Sequence, residues 1–168
     1  MSALFKSITR TEVSTDLNQE PPISIAVSVI ITTYHDEPAI PALAREIETA
    51  LNASGIAWEA IWINDGSPDN TQTCLDALSP PHRTVHFARN IGQAAGYRAG
   101  AEAARGVWIA TLDGDGPNDP ADIPRLLAHA KKHDADFVNG IRASRCDPWL
   151  RCWSARVAGV IRNIATGI

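Results

Sequence analysis

Cysteine is scarce in this chain of 168 residues, which contains only Cys74, Cys146 and Cys152. Three irregularly spaced cysteines cannot build a disulfide framework, and they lack the CxxC spacing of a zinc site. Long apolar segments are absent too. No run approaches the roughly 18 residues that a membrane-spanning helix needs, and the first residues contain no signal-peptide core. We therefore expect neither a disulfide-rich secreted domain nor a membrane span, and by default a cytoplasmic location.

Several familiar ligand-binding and catalytic motifs are missing as well. There is no GxGxxG and no Walker lysine loop. An EF-hand loop beginning at Asp113 would need an oxygen ligand at its fifth position and a glutamate at its twelfth, where this chain has Pro117 and Pro124. The five histidines are scattered, and none accompanies a serine or cysteine nucleophile in a recognisable motif. The sequence therefore favours none of these four kinds of site.

The sequence does contain a regular alternation of apolar strands and amphipathic helices. Residues 25–32, for example, are rich in β-branched residues, as expected of a buried strand. Alternation of this kind predicts right-handed βαβ units, and hence an α/β domain with a mostly parallel sheet and flanking helices. The predicted strands cover residues 25–32, 58–63, 84–87, 107–112 and the neighbourhood of 137–138, and the predicted helices cover residues 38–53, 69–78, 92–105 and 121–132.

The two ends differ from the central domain, which we place at residues 23–147. Residues 1–22 are polar and aperiodic, which predicts a mobile N-terminal arm. Residues 142–168 carry five arginines against one acid, whereas residues 1–141 carry 10 basic and 18 acidic side chains. Within 148–168, tryptophans and aliphatic residues recur at helical spacing, which predicts a basic amphipathic helix. That helix could pack on the domain with a solvated arginine face, or it could contact a membrane interface.

Two aspartates, Asp113 and Asp115, lie one residue apart directly after the fourth predicted strand. Buried carboxylates are costly unless they are paired or bind a metal. Hard divalent cations such as Mg²⁺ take carboxylate oxygens together with water and substrate phosphate, and the carboxyl ends of parallel strands are the usual ligand site of open α/β sheets. The pair therefore indicates a metal–phosphate site, although a tight turn also fits the same Asp and Gly residues.

The other predicted strands also end in polar segments. Arg89 and Arg142 are suited to phosphate or to aspartate pairing, Gly66 permits close backbone approach, and Asp65 could accept hydrogen bonds from a base or ribose. Because parallel strands end at one edge of a sheet, we expect these segments to form one site. They are residues 33–37, 64–71, 88–93, 113–115 and 140–142.

This combination resembles the family 2 glycosyltransferases of GT-A fold, and among them the transferases that use polyprenyl phosphates such as dolichol or undecaprenyl phosphate. The resemblance implies a Rossmann-like, mostly parallel sheet. The Arg-Asn-x-Gly-Gln motif in particular points to the polyprenyl-phosphate transferases. The matching motifs are residues 27–37, residues 63–71, Arg89-Asn90-Ile91-Gly92-Gln93, Asp113-Gly114-Asp115 and Gly140-Ile141-Arg142.

The resemblance also implies roles for individual residues. Asp113 and Asp115 correspond to the DxD pair that holds Mg²⁺ or Mn²⁺ on the diphosphate of the donor, and together with Arg142 they are the expected catalytic residues. The remaining expected site residues would bind the nucleotide. They are Thr32, Tyr34, Glu37, Asp65, Gly66, Arg89, Gln93 and Gly114.

The reaction implied is transfer of a sugar from a GDP- or UDP-linked donor to polyprenyl phosphate, with inversion and with metal assistance. We accordingly expect peripheral contact with the membrane, at its cytoplasmic face, and no nucleic-acid partner. Because the family continues beyond residue 168, the resemblance also implies a truncated chain. Two alternatives stay open, namely a non-catalytic nucleotide-sugar-binding remnant and a soluble family 2 transferase that acts on a glycan.

The chain departs from the family pattern at three site positions. His35 stands where the family usually has an asparagine after the tyrosine. Asn64-Asp65 stands where the family has two aspartates, and Pro117 stands where it commonly has a glutamine that can contribute to the metal. Proline supplies neither a side-chain ligand nor an N–H group. We therefore expect Asn118 or water to take the place of that glutamine.

Overall fold

The computed structural model describes the backbone of Lys6–Arg10 and both the backbone and the side chains of residues 25–115 and 118–140. Helices and strands alternate along most of this length. The elements are β1 (Lys6–Arg10), β2 (Val27–Thr33), α1 (Ile40–Ser54), β3 (Trp58–Asn64), α2 (Thr71–Asp76), β4 (His82–His86), α3 (Gln93–Ala103), β5 (Trp108–Asp113), α4 (Asp122–His133) and β6 (Phe137–Gly140).

These strands form one sheet in the order β4-β3-β2-β5-β1-β6. Strand β2 pairs in parallel with both β3 and β5, and β3 pairs in parallel with β4. Strand β1 is antiparallel to its neighbours β5 and β6. The expected mostly parallel sheet is therefore confirmed, and the carboxyl ends of β2, β3, β4 and β5 lie side by side.

Helices cover both faces of the sheet. Every residue of β2 and β3 is buried, as expected of strands covered on two sides. On one face α1 buries Ile40, Leu43, Ile47 and Leu51, and α4 joins the same apolar cluster through Ile123 and Leu127. On the other face, β2 and β3 contribute Ile30, Ile61 and Ile63, and α3 packs there. The result is a three-layer α/β arrangement.

Two glycines let α3 approach the sheet closely. A Cβ atom at Gly96 would lie 2.9 Å from Cγ2 of Thr32, and one at Gly100 would overlap the side chain of Ile30. Any larger residue would push the helix away from β2. The close packing brings the first turns of α3, with Gln93 and Tyr97, to the end of β5.

The predicted helices and strands of the central domain are all present, with ends that shift by at most two residues. The strand Lys6–Arg10 is different, because it lies inside the segment predicted as an arm and the sequence predicts no strand there. Its five residues, KSITR, are too few and too polar to give a periodic signal.

None of the described helices is long and apolar enough to cross a membrane. Pro117, Arg142 and the predicted helix at 148–168 lie outside the described residues.

Candidate functional site

The candidate site lies where the carboxyl ends of the parallel strands meet. In the sheet, Thr32 of β2 pairs with Asp113 of β5 on one side, and Thr33 of β2 pairs with Asn64 of β3 on the other. The backbone N–H of Gly114 donates to the carbonyl of Thr32 at 3.1 Å, and the N–H of Asp65 donates to the carbonyl of Thr33 at 3.0 Å. The sheet therefore places Asp113 and Asp65 on either side of the end of β2.

Three neutral donors hold the carboxylate of Asp113. Gln93 Nε2 and Tyr97 Oη donate to its Oδ1 at 2.7 Å and 2.9 Å, and Asn118 Nδ2 donates to its Oδ2 at 3.3 Å. Gln93 and Tyr97 reach the same oxygen because they lie one turn apart on one face of α3. The carboxylate is thus fixed in orientation by residues from two other parts of the chain.

Tyr97 is a site residue that sequence reasoning missed. Burial, followed by the negative charge of Asp113, raises the pKa of Tyr97 to about 12, so the phenol keeps its proton and stays a donor at neutral pH. The available signal was its position four residues after Gln93 on an alanine-rich helix. Gln93 itself was expected to bind nucleotide, and the structure places its amide on Asp113 and near Oγ1 of Thr32 at 3.4 Å.

A further carboxylate, Asp36, lies beside this pair. A Cβ atom at Gly114 would be only 2.7 Å from Asp36 Oδ2, so Asp36 contacts the turn between Asp113 and Asp115. Burial raises the pKa of Asp36, and the negative charges of Asp115, Asp69 and Asp113 raise it further despite a hydrogen bond from the N–H of Tyr34. Negative charge is therefore crowded at this point, which is an environment that a cation would stabilise.

These carboxylates fit a hard divalent cation that is shared with a substrate. A carboxylate can accept about four hydrogen bonds. From the described residues Asp113 accepts three, of which only one is to Oδ2. Within residues 25–115 and 118–140, no group of three His, Cys, Asp or Glu side chains could hold a metal by itself. Mg²⁺ commonly binds in this way, through one or two carboxylates with water and phosphate as its other ligands. Asp113 and Asp115, which is exposed, are the residues that would hold it.

Asn118 lies beside the expected metal position. Its side chain is 5% exposed and contacts Asp113. Asn118 or water was expected to take the place of the family's glutamine. In the structure the Asn118 amide donates a hydrogen bond to Asp113, the first aspartate of the pair.

Asp65 joins two of the strand-end loops. Its side chain is almost fully buried, and its two oxygens accept the backbone N–H groups of Ile91 and Gly92 at 2.8 Å and 2.9 Å. Gly92 is the N-terminal cap of α3 with a φ of 98°, a conformation that favours glycine. Asp65 therefore fixes the loop before α3, and any contact with a base or ribose must use its remaining acceptor capacity.

The same two loops touch through their backbones at Gly66. This residue has a φ of 67°, and a Cβ atom on it would lie 2.6 Å from both Cα of Arg89 and the nitrogen of Asn90. Arg89 is exposed at this contact. The structure thus brings Asp65, Gly66 and Arg89 together, as the sequence predicted.

Tyr34 and Glu37 lie on the loop after β2. The ring of Tyr34 is 45% exposed and makes an edge contact with His35 at 4.6 Å between ring centroids. Glu37 accepts the backbone N–H and the side-chain amide of Asn70 at 3.2 Å and 3.3 Å, so it ties this loop to the start of α2. Tyr34 thus exposes nearly half of its surface, whereas Glu37 has a structural contact already.

The asparagine that replaces the family's first aspartate has a specific partner. Asn64 Oδ1 accepts the N–H of Ser67 at 2.9 Å, and its Nδ2 lies 3.3 Å from Nδ1 of His86. Nε2 of His86 in turn lies 3.0 Å from a carboxylate oxygen of Asp76. The Asn64 amide therefore contacts both the Ser67 backbone and the His86 ring.

Comparison with known proteins identifies the family. A model of the family described as "Glycosyl transferase family 2" matches residues 28–166, which include every strand end of the site. This chain is a member of glycosyltransferase family 2. The matched range contains both Asp65 and Asp113.

Two kinds of curated relative illustrate the membership. An undecaprenyl-phosphate 4-deoxy-4-formamido-L-arabinose transferase of Pseudomonas aeruginosa is 37% identical over 146 residues, which are 84% of this chain and 43% of that protein. A dodecaprenyl-phosphate galacturonate synthase of Rhizobium johnstonii is 33% identical over 132 residues, 76% of this chain and 39% of that protein. The chain thus spans about two fifths of the length of these relatives.

Solved structures of other glycosyltransferases share the fold. TarS 1-349 of S. aureus in complex with UDP-GlcNAc matches with a TM-score of 0.57 at 19% identity, over 65% of this chain and 32% of that one. A mannosyltransferase from Pyrobaculum calidifontis in complex with GDP-Man and Mn²⁺ matches with a TM-score of 0.50 at 22% identity, over 72% of this chain and 35% of that one. At these identities the likeness concerns the fold, and it agrees with the GT-A fold predicted from the sequence.

Proposed function

We propose that this chain carries the donor-binding part of a glycosyltransferase that moves a sugar from a nucleotide-sugar to a polyprenyl phosphate. The observation that carries the proposal is the Asp113 carboxylate, held by three donors at a carboxylate-rich strand end. The acceptor class comes from the undecaprenyl- and dodecaprenyl-phosphate names of the relatives.

In this proposal the nucleoside lies against the loops that carry Tyr34, Asp65 and Arg89, and the diphosphate lies against Asp113 and Asp115. Mg²⁺ or Mn²⁺, when bound, stabilises the charge that develops on the leaving nucleoside diphosphate. Gln93 and Tyr97 keep Asp113 in one orientation, and Asp65 keeps the loop before α3 in place. Such preorganisation avoids reorganisation costs at the moment of reaction.

The chemical step is a displacement at the anomeric carbon. An oxygen of the acceptor phosphate attacks from the face opposite the diphosphate, so the new C–O bond forms as the old one breaks and the configuration inverts. Because the acceptor phosphate is already anionic at neutral pH, no strong enzymatic base is needed. Arg142, which lies outside the described residues, is proposed to contact a phosphate group.

A lipid acceptor implies peripheral contact with the membrane, for which we propose the basic segment 148–168 at the cytoplasmic face. This segment contains three of the five arginines of residues 142–168, and each arginine near an anionic lipid surface would contribute an attraction on the order of 1 kcal/mol. Because such attraction is screened by salt, vesicle binding should weaken as the salt concentration rises.

The first experiment measures donor binding. Isothermal titration of UDP- and GDP-sugars in Mn²⁺ and in EDTA should give metal-dependent affinity, which Asp115→Asn should abolish without loss of helical circular dichroism. Glu102→Gln is the matched control, because it also removes one negative charge but lies exposed on α3 beside Arg98. Equal affinity in Mn²⁺ and EDTA would contradict the metal-assisted site.

The second experiment measures turnover with polyprenyl phosphate. Sugar transfer to the lipid supports the proposal, whereas metal-dependent binding without turnover favours a non-catalytic remnant. The observation behind that alternative is Pro117, which stands in place of the family's glutamine. Transfer to a soluble glycan alone would favour the third possibility, a transferase that is not lipid-specific.

A further inference from the structure

Two histidines lie together on the surface of α4. His129 and His133 are four residues apart, their ring centroids are 4.3 Å apart, and the rings are tilted by 37°. Both residues are exposed. Residues at this spacing lie on one face of a helix, one turn above the other. The two imidazoles can therefore present nitrogen atoms to a single ligand from solvent.

Imidazole nitrogen is a ligand for a different class of cation from the carboxylate oxygens of the strand ends. It suits Zn²⁺, Ni²⁺ and Cu²⁺, whereas carboxylate, carbonyl and water oxygens suit Mg²⁺ and Mn²⁺. The pair also spans the last two turns of α4, which ends at His133. The negative end of the helix dipole lies there and favours a bound cation.

We propose that His129 and His133 form a two-histidine binding site for a borderline divalent transition metal of the Zn²⁺, Ni²⁺ and Cu²⁺ class. Water fills the other coordination positions, since no third His, Cys, Asp or Glu completes a site in the described parts of the chain. A helix of 12 residues is about 18 Å long, and α4 starts near Asn118 at the strand-end site. The histidine pair lies in the C-terminal half of α4 and shares no residue with the strand-end site, so this proposal is independent of the proposed function.

Binding would stabilise the end of α4. The chain turns sharply after His133, where Asp134 adopts a left-handed conformation with a φ of 48° and leads into β6. A metal that holds two successive turns of the helix opposes fraying at this end. A ligand that binds only the folded state raises the free energy of unfolding in proportion to the logarithm of its concentration.

The test is a titration of the purified chain with NiCl₂ and ZnCl₂ at neutral pH. His129→Gln and His133→Gln should each weaken binding by roughly 10-fold to 100-fold, because either change removes the advantage of two linked ligands. Lys132→Gln is the matched control, since it changes an exposed residue of the same turn that cannot ligate while protonated. It should leave the affinity unchanged or slightly raise it.

Two further measurements distinguish this site from others. Cu²⁺ electron paramagnetic resonance should show coupling to two nitrogen atoms in the wild type and to one in each histidine variant. Asp115→Asn should leave Ni²⁺ binding intact. The proposal is overturned if either histidine variant keeps the wild-type affinity and the two-nitrogen signal, or if Asp115→Asn removes the Ni²⁺ site.

Discussion

Gly66 and Gly55 offer a matched test of how the strand-end loops are held together. Both have left-handed backbones, with φ values of 67° and 66°. They differ in the space around the missing side chain: a Cβ atom at Gly66 would lie 2.6 Å from Arg89 Cα and Asn90 N, whereas nothing lies within 4 Å of one at Gly55. Alanine at the two positions therefore separates the backbone cost from the cost of the close approach.

The expected magnitudes follow from these two costs. An alanine in the left-handed region costs about 1–2 kcal/mol of folding free energy, and both variants bear this cost. Gly66→Ala must also displace the Arg89–Asn90 backbone, and overpacking of a tight contact costs about 1–3 kcal/mol more. We expect a loss of about 1–2 kcal/mol for Gly55→Ala and of about 2–5 kcal/mol for Gly66→Ala.

Equilibrium urea unfolding measures the difference, and titration with the nucleotide-sugar measures its consequence. The displaced backbone adjoins Ile91 and Gly92, whose N–H groups bind Asp65. Gly66→Ala should therefore weaken nucleotide-sugar binding, whereas Gly55→Ala should not. Equal losses of stability in the two variants would refute the close approach of the loops. Unchanged nucleotide-sugar binding in Gly66→Ala would show that the close approach of the loops is not important for the site.

Three other changes test separate parts of the molecule. Tyr97→Phe removes a donor to Asp113, so Mn²⁺ affinity measured with the nucleotide-sugar should fall by about 10-fold, the usual effect of losing a group that orients a metal ligand; unchanged affinity would mean that Gln93 suffices. Burial lowers the pKa of His82 from 6.5 in spite of Glu48, so His82 contributes stability above pH 6.5 that is lost as the pH falls through its folded value. In urea unfolding at a series of pH values, His82→Gln should be less stable than the wild type above pH 6.5, and the difference in free energy of unfolding should become smaller below pH 6.5. A difference that does not change with pH would contradict this. Pro117→Gln should raise Mn²⁺ affinity about 10-fold, and an unchanged titration would mean that Asn118 already fills the position.

Local periodicity in the sequence was enough to predict the elements of the fold. The apolar stripe of α1 and the β-branched run of β2 each carry a signal within one segment, because burial on one or two faces repeats at the period of the helix or strand. The motifs at the strand ends were likewise readable, since parallel strands must end at one edge. Strand β1 was missed because it pairs with residues of β5 and β6 that lie roughly 100 to 130 positions away in the sequence. The five residues of β1 carry no local signal of that pairing.

The sequence by itself determined which residues would gather at the strand-end edge, including Asp65, Arg89 and Asp113. Only the tertiary structure decided what those residues contact. Gln93 donates to Asp113 rather than standing free for nucleotide, Asp65 holds the loop before α3, and Tyr97 belongs to the site. The reason is geometric. A side-chain hydrogen bond between two elements depends on the distance between them and on which faces they turn toward each other. For α3, the distance to β2 is set by the glycines that pack against that strand.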